Sequence, residues 1–367
     1  MYVRISLAAI LIITSCSFAQ LLPTLGGYQS PVTTGYYSLD VPSDARSISM
    51  GESFVASKDP QTSYFYNPAN LVFAQGADLS FSRRDADYNK YIDNTYYYSL
   101  TGHLTTPVGN FGLFYSRHLL QGDGLSIDDY TLGLLYAYSF TPELHAGITL
   151  KTMSENIPST KSQPILCDIG ALYTHQRVFN TEFQDELAFG VSLQNFGTDY
   201  RFNNNLIIPL TSKENVTLIG YNTDIIKLPR YLRTGFSYSF ILPSHISDNI
   251  ELFSLLLTGE YRNLLNPGAF QKNARDYWGM GIEMTFLGII SLRGGSFAQA
   301  VDGVYGDKGT MMARYGMGLS LPFWSMDSNL PLIATLDYGV VPLNPRYDTD
   351  PQVSMWSLSL RYTPDIF

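Results

Sequence analysis

From Gly76 onward the chain alternates apolar and small polar residues with a period of two. In "DDYTLGLLYAYSF", Tyr130, Leu132, Leu134, Tyr136 and Tyr138 share one face, and Thr131, Gly133, Ala137 and Ser139 the other. In "DYWGMGIEMTF", Trp278, Met280, Ile282, Met284 and Phe286 oppose Gly279, Gly281, Glu283 and Thr285. "ARYGMGLSL" and "VSMWSLSLRYT" repeat the arrangement. A period of two marks strands with unlike faces. In a soluble sandwich the polar face meets bulk water and usually carries many Lys, Glu and Asp. Here it carries Gly, Ser and Thr with isolated charges, which suits a crowded lumen. The apolar face, with its aromatic ends, suits lipid.

Fourteen such segments are predicted, over 76–86, 94–106, 109–119, 128–140, 142–154, 164–175, 185–195, 230–242, 249–262, 275–287, 289–299, 311–322, 331–341 and 352–363. An even count suits a closed antiparallel barrel, which leaves no unpaired edge in lipid. Tight turns at Thr106–Pro107–Val108, Phe140–Thr141–Pro142 and Leu287–Gly288 fit the periplasmic side. The stretches 119–128, 196–229, 263–274, 299–310 and 342–351 are longer and fit the extracellular side. Segment 196–229 is long enough to fold over the barrel mouth or to hold extra strand. The expected fold is therefore all-β, a transmembrane antiparallel barrel of about fourteen strands.

Composition agrees with this reading. Charged residues make up 15%, against roughly 25% in soluble chains. Aromatics reach 14%, with 27 Tyr, and mean hydropathy is −0.02. No stretch after the N-terminus is long and apolar enough for a helical span; the dense run "LFSLLLTG" is of strand length. The net charge is −9 and no Lys/Arg run is present, so nothing favours a nucleic-acid partner.

The N-terminus reads as an export signal. Arg4 precedes the apolar run "ISLAAILIIT", and Ser17–Phe18–Ala19 fits cleavage before Gln20. Ile13–Thr14–Ser15–Cys16 loosely matches a lipidation box, which leaves lipid attachment at Cys16 as the alternative. Cleavage leaves Cys167 alone, facing outward among apolar groups, with no intramolecular disulfide open to it. The expected domains are a signal peptide over 1–19, an N-terminal extension and hatch over 20–75, and the barrel over 76–367.

Little in the chain suggests catalysis. His103, His118, His145, His175 and His245 form no metal-binding spacing, and the usual nucleophile and phosphate-loop motifs are missing. We expect no enzyme, cofactor or metal, with a Ser/His pair the remaining catalytic candidate in so Ser-rich a barrel. By strand phase, Glu283, Arg293, Arg314, Asp337 and Arg361 all point inward on five consecutive strands, and Arg233 and Glu260 extend the row. They either form ion pairs that fill and stiffen the lumen, gripping the hatch through Asp44 or Arg46, or they recognise a solute. The loop aromatics Tyr200, Phe202, Tyr221 and Phe270 either bind a partner or greasy ligand or pack the loops together.

A lumen this wide needs a filling, and the residues before Gly76 are the candidate plug. Ser47, Ser49, Gly51 and Ser53 are small enough to pack closely. Here "PSDARSISMG" (Pro42–Gly51), "FVA" (Phe54–Ala56) with Asp59, and "NPANL" (Asn67–Leu71) resemble the signature of FadL-type outer-membrane barrels, and within them the PorV/PorQ branch. The matching residues include Asp44, Ala45, Arg46, Met50, Gly51, Asn67, Pro68 and Ala69. The resemblance covers about 30 residues. The terminal Phe367 resembles an outer-membrane insertion signal. The resemblance implies a fourteen-stranded barrel with an N-terminal hatch in the bacterial outer membrane. A PorV-like member serves type IX secretion, with exported proteins or secretion-machine subunits as partners besides outer-membrane lipid. The alternative is FadL-like transport of hydrophobic small molecules, and a third possibility is a structural or adhesive barrel. A conduit is expected to show an apolar pocket near the hatch and a lateral gap or kinked strand, for which Gly294–Gly295 and Gly316/Gly318 are candidates.

Overall fold

The computed structural model describes residues 39, 44–86, 94–122, 125–157, 160–179, 184–198, 206–212, 215–221, 228–243, 251–265, 276–299, 310–323, 331–341 and 353–363. The proposed signal peptide, Cys16, Tyr200, Phe202, Phe270 and Phe367 lie outside the described residues, as does the side chain of Tyr221.

The strands in chain order are β1 (Ala77–Ala86), β2 (Asn94–Thr106), β3 (Gly109–Gly122), β4 (Leu125–Ser139), β5 (Leu144–Ile157), β6 (Thr160–Ser162), β7 (Ile165–Gln176), β8 (Gln184–Gly197), β9 (Leu206–Ser212), β10 (Asn215–Tyr221), β11 (Tyr231–Pro243), β12 (Glu251–Leu264), β13 (Asp276–Phe286), β14 (Ile290–Gln299), β15 (Thr310–Pro322), β16 (Leu332–Val341) and β17 (Val353–Tyr362). Fourteen of them close into one antiparallel ring, sealed by pairing of β1 with β17 and of β4 with β5. The short β6 extends β5, and β9 and β10 pair with each other. Segment 196–229 therefore does hold extra strand. Among the described residues no helix is long and apolar enough to cross a membrane.

The predicted faces are the observed ones. Leu134, Met280 and Met317 are 62%, 60% and 59% exposed on the outside of the ring. Thr131, Glu283 and Arg314, inward residues of the same strands, are buried. One expectation changes. The stretch 119–128 is a tight hairpin rather than a long loop, because β3 and β4 stay paired out to Gly122–Leu125. Arg117 holds that end together, its fork meeting both carboxylate oxygens of Asp128 at 2.8 Å.

Residues Asp44–Ala74 lie inside the ring. They form one short helix, α1 (Ala45–Ser49), two 3-10 turns (Pro60–Thr62 and Pro68–Phe73) and irregular chain between. Asp44 caps α1 by accepting from the Ser47 amide at 2.7 Å. Asp59 and Asn67 cap the two turns, each followed by Pro at the first position. Ala45, Met50, Phe54, Val55, Tyr66, Ala69 and Leu71 are fully buried.

The wall is shaped to receive this segment. Gly51 takes a φ of +67°, and a β-carbon there would collide with the backbone oxygens of Ser296 and Met280. Across the contact, a β-carbon on Gly295 would sit 2.5 Å from the Gly51 nitrogen. Inward glycines such as Gly279 and Gly295 are thus places where two backbones touch. They mark no kink: β14 and β15 pair without a break in register, and Gly294 faces the other way.

Gly295→Ala is expected to lose about 1–3 kcal/mol through overpacking, with the loss of folded barrel read from heat-modifiable gel mobility. Gly294→Ala, whose added carbon would find its nearest neighbour at 3.7 Å, is expected to match the wild type. Equal behaviour of the two would show that the inner backbone is not seated against β14.

Candidate functional site

The site is the interior of the ring, where an irregular segment has to satisfy its backbone without a sheet partner. Wall side chains do this. Glu260 accepts from the Val55 amide at 2.9 Å, and Ser357 from the Ala45 amide at 2.8 Å. Gln194 donates to the carbonyls of Phe65 and Tyr66 at 2.7 and 3.0 Å. Asn110 donates to Leu71 at 2.8 Å, and Ser237 to Ala56 at 2.7 Å. Within the segment, Asn67 donates to Val55 at 2.7 Å and onward to Ala171 of the wall at 3.0 Å.

Charge forms a second layer of attachment. The five predicted residues all point inward, but the structure divides them among three clusters. Glu283, Arg293 and Asp337 form one, with Arg293 bonded to Glu283 and lying 2.6 Å from Asp337. Arg46 of the inner segment joins it, donating to both Glu283 oxygens at 2.6 and 2.9 Å and to Asp59 at 2.7 Å. Arg314 belongs elsewhere and meets Glu52 at 2.6 Å. Arg361 sits apart, 3.5 Å from Asp78, which also faces His103 at 3.5 Å and Gln61 at 3.2 Å. Arg233 and Glu260 pair at 2.6 Å, and Arg233 also donates to Gln194. Of the two residues proposed to engage the row, Arg46 does so; Asp44 serves as the helix cap.

The reading by strand phase missed Glu52 and Arg262. Glu52 lies beside the conspicuous Gly51 and takes a positive φ of 56°, a backbone state uncommon for a residue with a side chain. That twist turns its carboxylate to Arg314 and, at 4.0 Å, to Arg262. Arg262 in turn lies over Tyr277 at 4.1 Å and Tyr231 at 5.0 Å. Burial alone would raise the Glu52 pKa, yet Arg314 and Arg262 outweigh it and hold the carboxyl below its ordinary value of 4.5. The Tyr66 hydroxyl goes the other way, pushed far up by burial and by the nearby charges of Glu52 and Asp44.

On the long-loop half of the lumen lies a narrow cleft with room for about one water molecule. Leu39, Tyr64, Phe65 and Phe114 form its apolar side, with Tyr64 and Phe114 stacked at 4.4 Å. Lys151, Gln194 and Asn195 form its polar side. The last two are consecutive yet both buried, because the wall bulges there. Cys167 pairs with Phe196 and Ile169 with Leu193, so Asp168 opposes two residues. Asp168 stabilises the bulge by accepting from the Asn195 amide and from Lys151, each at 2.7 Å. The irregularity in the wall is thus a bulge in β8 rather than a kink at the glycine pairs. Among the described strands every ring member pairs on both sides, so no lateral gap is seen.

No family model and no curated protein matches the chain. Solved structures do. The toluene transporter TodX of Pseudomonas putida superposes with a TM-score of 0.52 at 10% identity, over 86% of this chain and 96% of that one. The CymD monoaromatic hydrocarbon channel gives 0.50 at 14% identity, over 90% and 99%. A FadL homologue of Pseudomonas aeruginosa gives 0.44 at 13% identity, over 92% and 100%. The chain has the fold of the FadL-type outer-membrane barrels. In this ring the exposed apolar residues form an outer belt and the buried polar residues line the lumen. The candidate Ser/His pair is Ser139 with His145, 2.9 Å apart near the short-turn end. The second ring nitrogen faces Thr174 at 3.5 Å rather than a carboxylate, so the order of a catalytic triad is not built.

Arg314→Ala leaves the Glu52 charge buried beside a single, more distant cation. A loss of about 3–5 kcal/mol is expected, read as earlier unfolding and protease cleavage before Gly76. Arg361→Ala, at a partly exposed pair, is expected to lose far less. Stabilisation by the Glu52 charge is complete above pH 4.5 and is lost as pH falls through its lower folded-state value. Wild type is therefore expected to gain protease sensitivity in that acid window, and Glu52→Gln to show less change across it. Equal acid response in both would remove Glu52 from this role.

Proposed function

We propose that this chain conducts small hydrophobic molecules across the outer membrane. The cleft carries the reading: Tyr64, Phe65, Phe114 and Leu39 offer an apolar face in the long-loop half of a lumen in which the segment 44–74 is packed. A filled lumen disfavours free passage of ions and sugars. An aromatic-walled entry favours solutes that gain by leaving water. The fold shared with structures named as a toluene transporter and a monoaromatic hydrocarbon channel supports the same reading. The cleft is too small for such a solute as it stands. Passage therefore requires Leu39 and the Tyr64–Tyr66 stretch to shift, and the bulge at Asn195 is the part of the wall beside them. On this reading the protein is not an enzyme, and residues 1–19 are removed on export.

The second reading is a PorV/PorQ-like role in type IX secretion, and it rests on the motif between Asp44 and Leu71. Ala45, Met50, Asn67 and Ala69 of that motif are fully buried and pack against wall or segment. The motif thus describes how a lumen is filled, a need both kinds of barrel share. It offers no surface to an exported protein, and for that reason we place secretion second.

The deciding experiment is uptake of a labelled apolar solute by cells whose outer membrane does or does not carry the barrel. Uptake is expected to depend on the barrel. It is expected to fall to the barrel-free level in Ser116→Trp, which fills the cleft from β3, with normal gel mobility showing an intact fold. Barrel-independent uptake, together with recovery of exported proteins on the tagged barrel, would overturn the conduit in favour of secretion.

A further inference from the structure

The polar side of the cleft holds one group that the fold leaves unanswered. Asn195 is buried, at 2% exposure, and takes a positive φ of 62°, a state asparagine tolerates better than most residues. Its nitrogens are engaged. The backbone amide donates to Asp168 at 2.7 Å, and Nδ2 donates to the Pro229 carbonyl at 2.6 Å. The Pro229 bond also fixes which way the side-chain amide faces, because the reverse setting would put two oxygens together. Oδ1 is then buried and accepts no hydrogen bond among the described residues. A buried acceptor without a donor is costly, and this one belongs to a residue that lines the cleft.

Asp168 brings a donor to the same place. It holds the Asn195 amide on one carboxylate oxygen and Lys151 on the other, each at 2.7 Å. One carboxylate thus sets both groups, across β5, β7 and β8. An ammonium has three N–H donors, and the bond to Asp168 uses one. Lys151 is buried and also lines the cleft. Gln194, the other amide of the polar side, is committed. Its Nε2 serves the Phe65 and Tyr66 carbonyls, and its Oε1 accepts from Arg233 at 2.7 Å. The cleft therefore pairs an acceptor on Asn195 and a donor on Lys151 with an aromatic wall, the Tyr64–Phe114 stack. A single hydroxyl answers both, since it donates one hydrogen and accepts on its lone pairs. The cleft's room for about one water molecule is also room for a hydroxyl.

We propose that the solute this cleft selects is a neutral phenol rather than a hydrocarbon or an aromatic acid, an inference that rests on the conduit reading above. The hydroxyl donates to Asn195 Oδ1 and accepts from Lys151 Nζ. The ring takes the place of Leu39 and lies against Tyr64 and Phe114. A phenol keeps its proton at neutral pH, as tyrosine does. A carboxylate has no hydrogen for Asn195 and meets the charge of Asp168 beside Lys151. A hydrocarbon leaves Oδ1 buried and unanswered.

Equilibrium binding to the whole barrel in nanodiscs tests this. The labelled probes are para-cresol, para-methylanisole, para-xylene and para-toluate, and the Ser116→Trp barrel gives the background. Para-methylanisole keeps the oxygen of the cresol but lacks the donor. Para-cresol is expected to bind about tenfold tighter than para-methylanisole or para-xylene, the effect of one buried hydrogen bond, and para-toluate weakest. Asn195→Gly, which keeps the positive φ, is expected to bring para-cresol down to the para-xylene level and leave para-xylene where it was. Unaltered heat-modifiable mobility shows that the variants are folded, and the comparison of probes on wild type needs no variant. Equal binding of cresol, methylanisole and xylene would overturn the hydroxyl site and leave the conduit standing, with water serving Asn195. Tighter binding of para-toluate would overturn it in favour of an acid held by Lys151. Binding of no probe above the Ser116→Trp background would overturn the conduit reading together with this one.

Discussion

The structure depends on contact between two backbones, that of the inner segment and that of the wall. Residues 44–74 have too little regular structure to satisfy their own amides and carbonyls, and burial makes unsatisfied groups costly. The wall solves this in two ways. Glycines such as Gly295 let the segment come close enough to exclude water. Polar side chains such as Gln194, Asn110 and Glu260 then supply the missing hydrogen bonds. Neither works alone. Close approach without partners would strand buried polar groups, and partners on a distant wall would leave voids that admit water.

This explains why the inward face of the strands looked unlike a soluble surface. Its glycines and serines receive a second backbone rather than bulk solvent. The strand series was readable because lipid outside and packed protein inside impose the period of two on every strand. Among the described connections the β3–β4 one was misjudged. There the alternation fades near Leu119–Leu120, while pairing and the Arg117–Asp128 bond carry the hairpin further.

The interior was legible in direction but not in pairing. Strand phase showed that Glu283, Arg293, Arg314, Asp337 and Arg361 point inward. It could not show that Arg314 meets Glu52 or that Glu283 also holds Arg46, because Glu52 and Arg46 come from the inner segment, outside the strand series. The twist at Glu52 that turns its carboxylate toward Arg314 leaves only the neighbouring Gly51 as a trace in sequence. The bulge at Asn195 leaves less still. A one-residue mismatch between β7 and β8 is a property of two strands together, and neither sequence alone contains it.

The two sides of the inner segment are held with different strength. Toward β13–β16 it is fixed by Arg46 and Glu52, which meet buried partners; breaking such pairs costs several kcal/mol. Toward β5–β8 the ion pair is Lys58 with Glu186, and Lys58 is 39% exposed, which leaves it little net stabilisation. Among the described residues the other polar contacts on that side include neutral hydrogen bonds of about 1 kcal/mol each, such as Asn67 to Ala171 and Gln194 to the carbonyls of Phe65 and Tyr66, beside apolar packing of Val55, Ala56 and Ala69 on Leu172 and Ala188. The aromatic cleft and the bulge lie on this weaker side. Under the conduit reading, a solute entering at Tyr64 and Phe114 meets the part of the segment that yields at lowest cost, while the charged clusters keep the rest in place. Movement confined to one side lets an apolar molecule pass without emptying the lumen, and so without opening it to water.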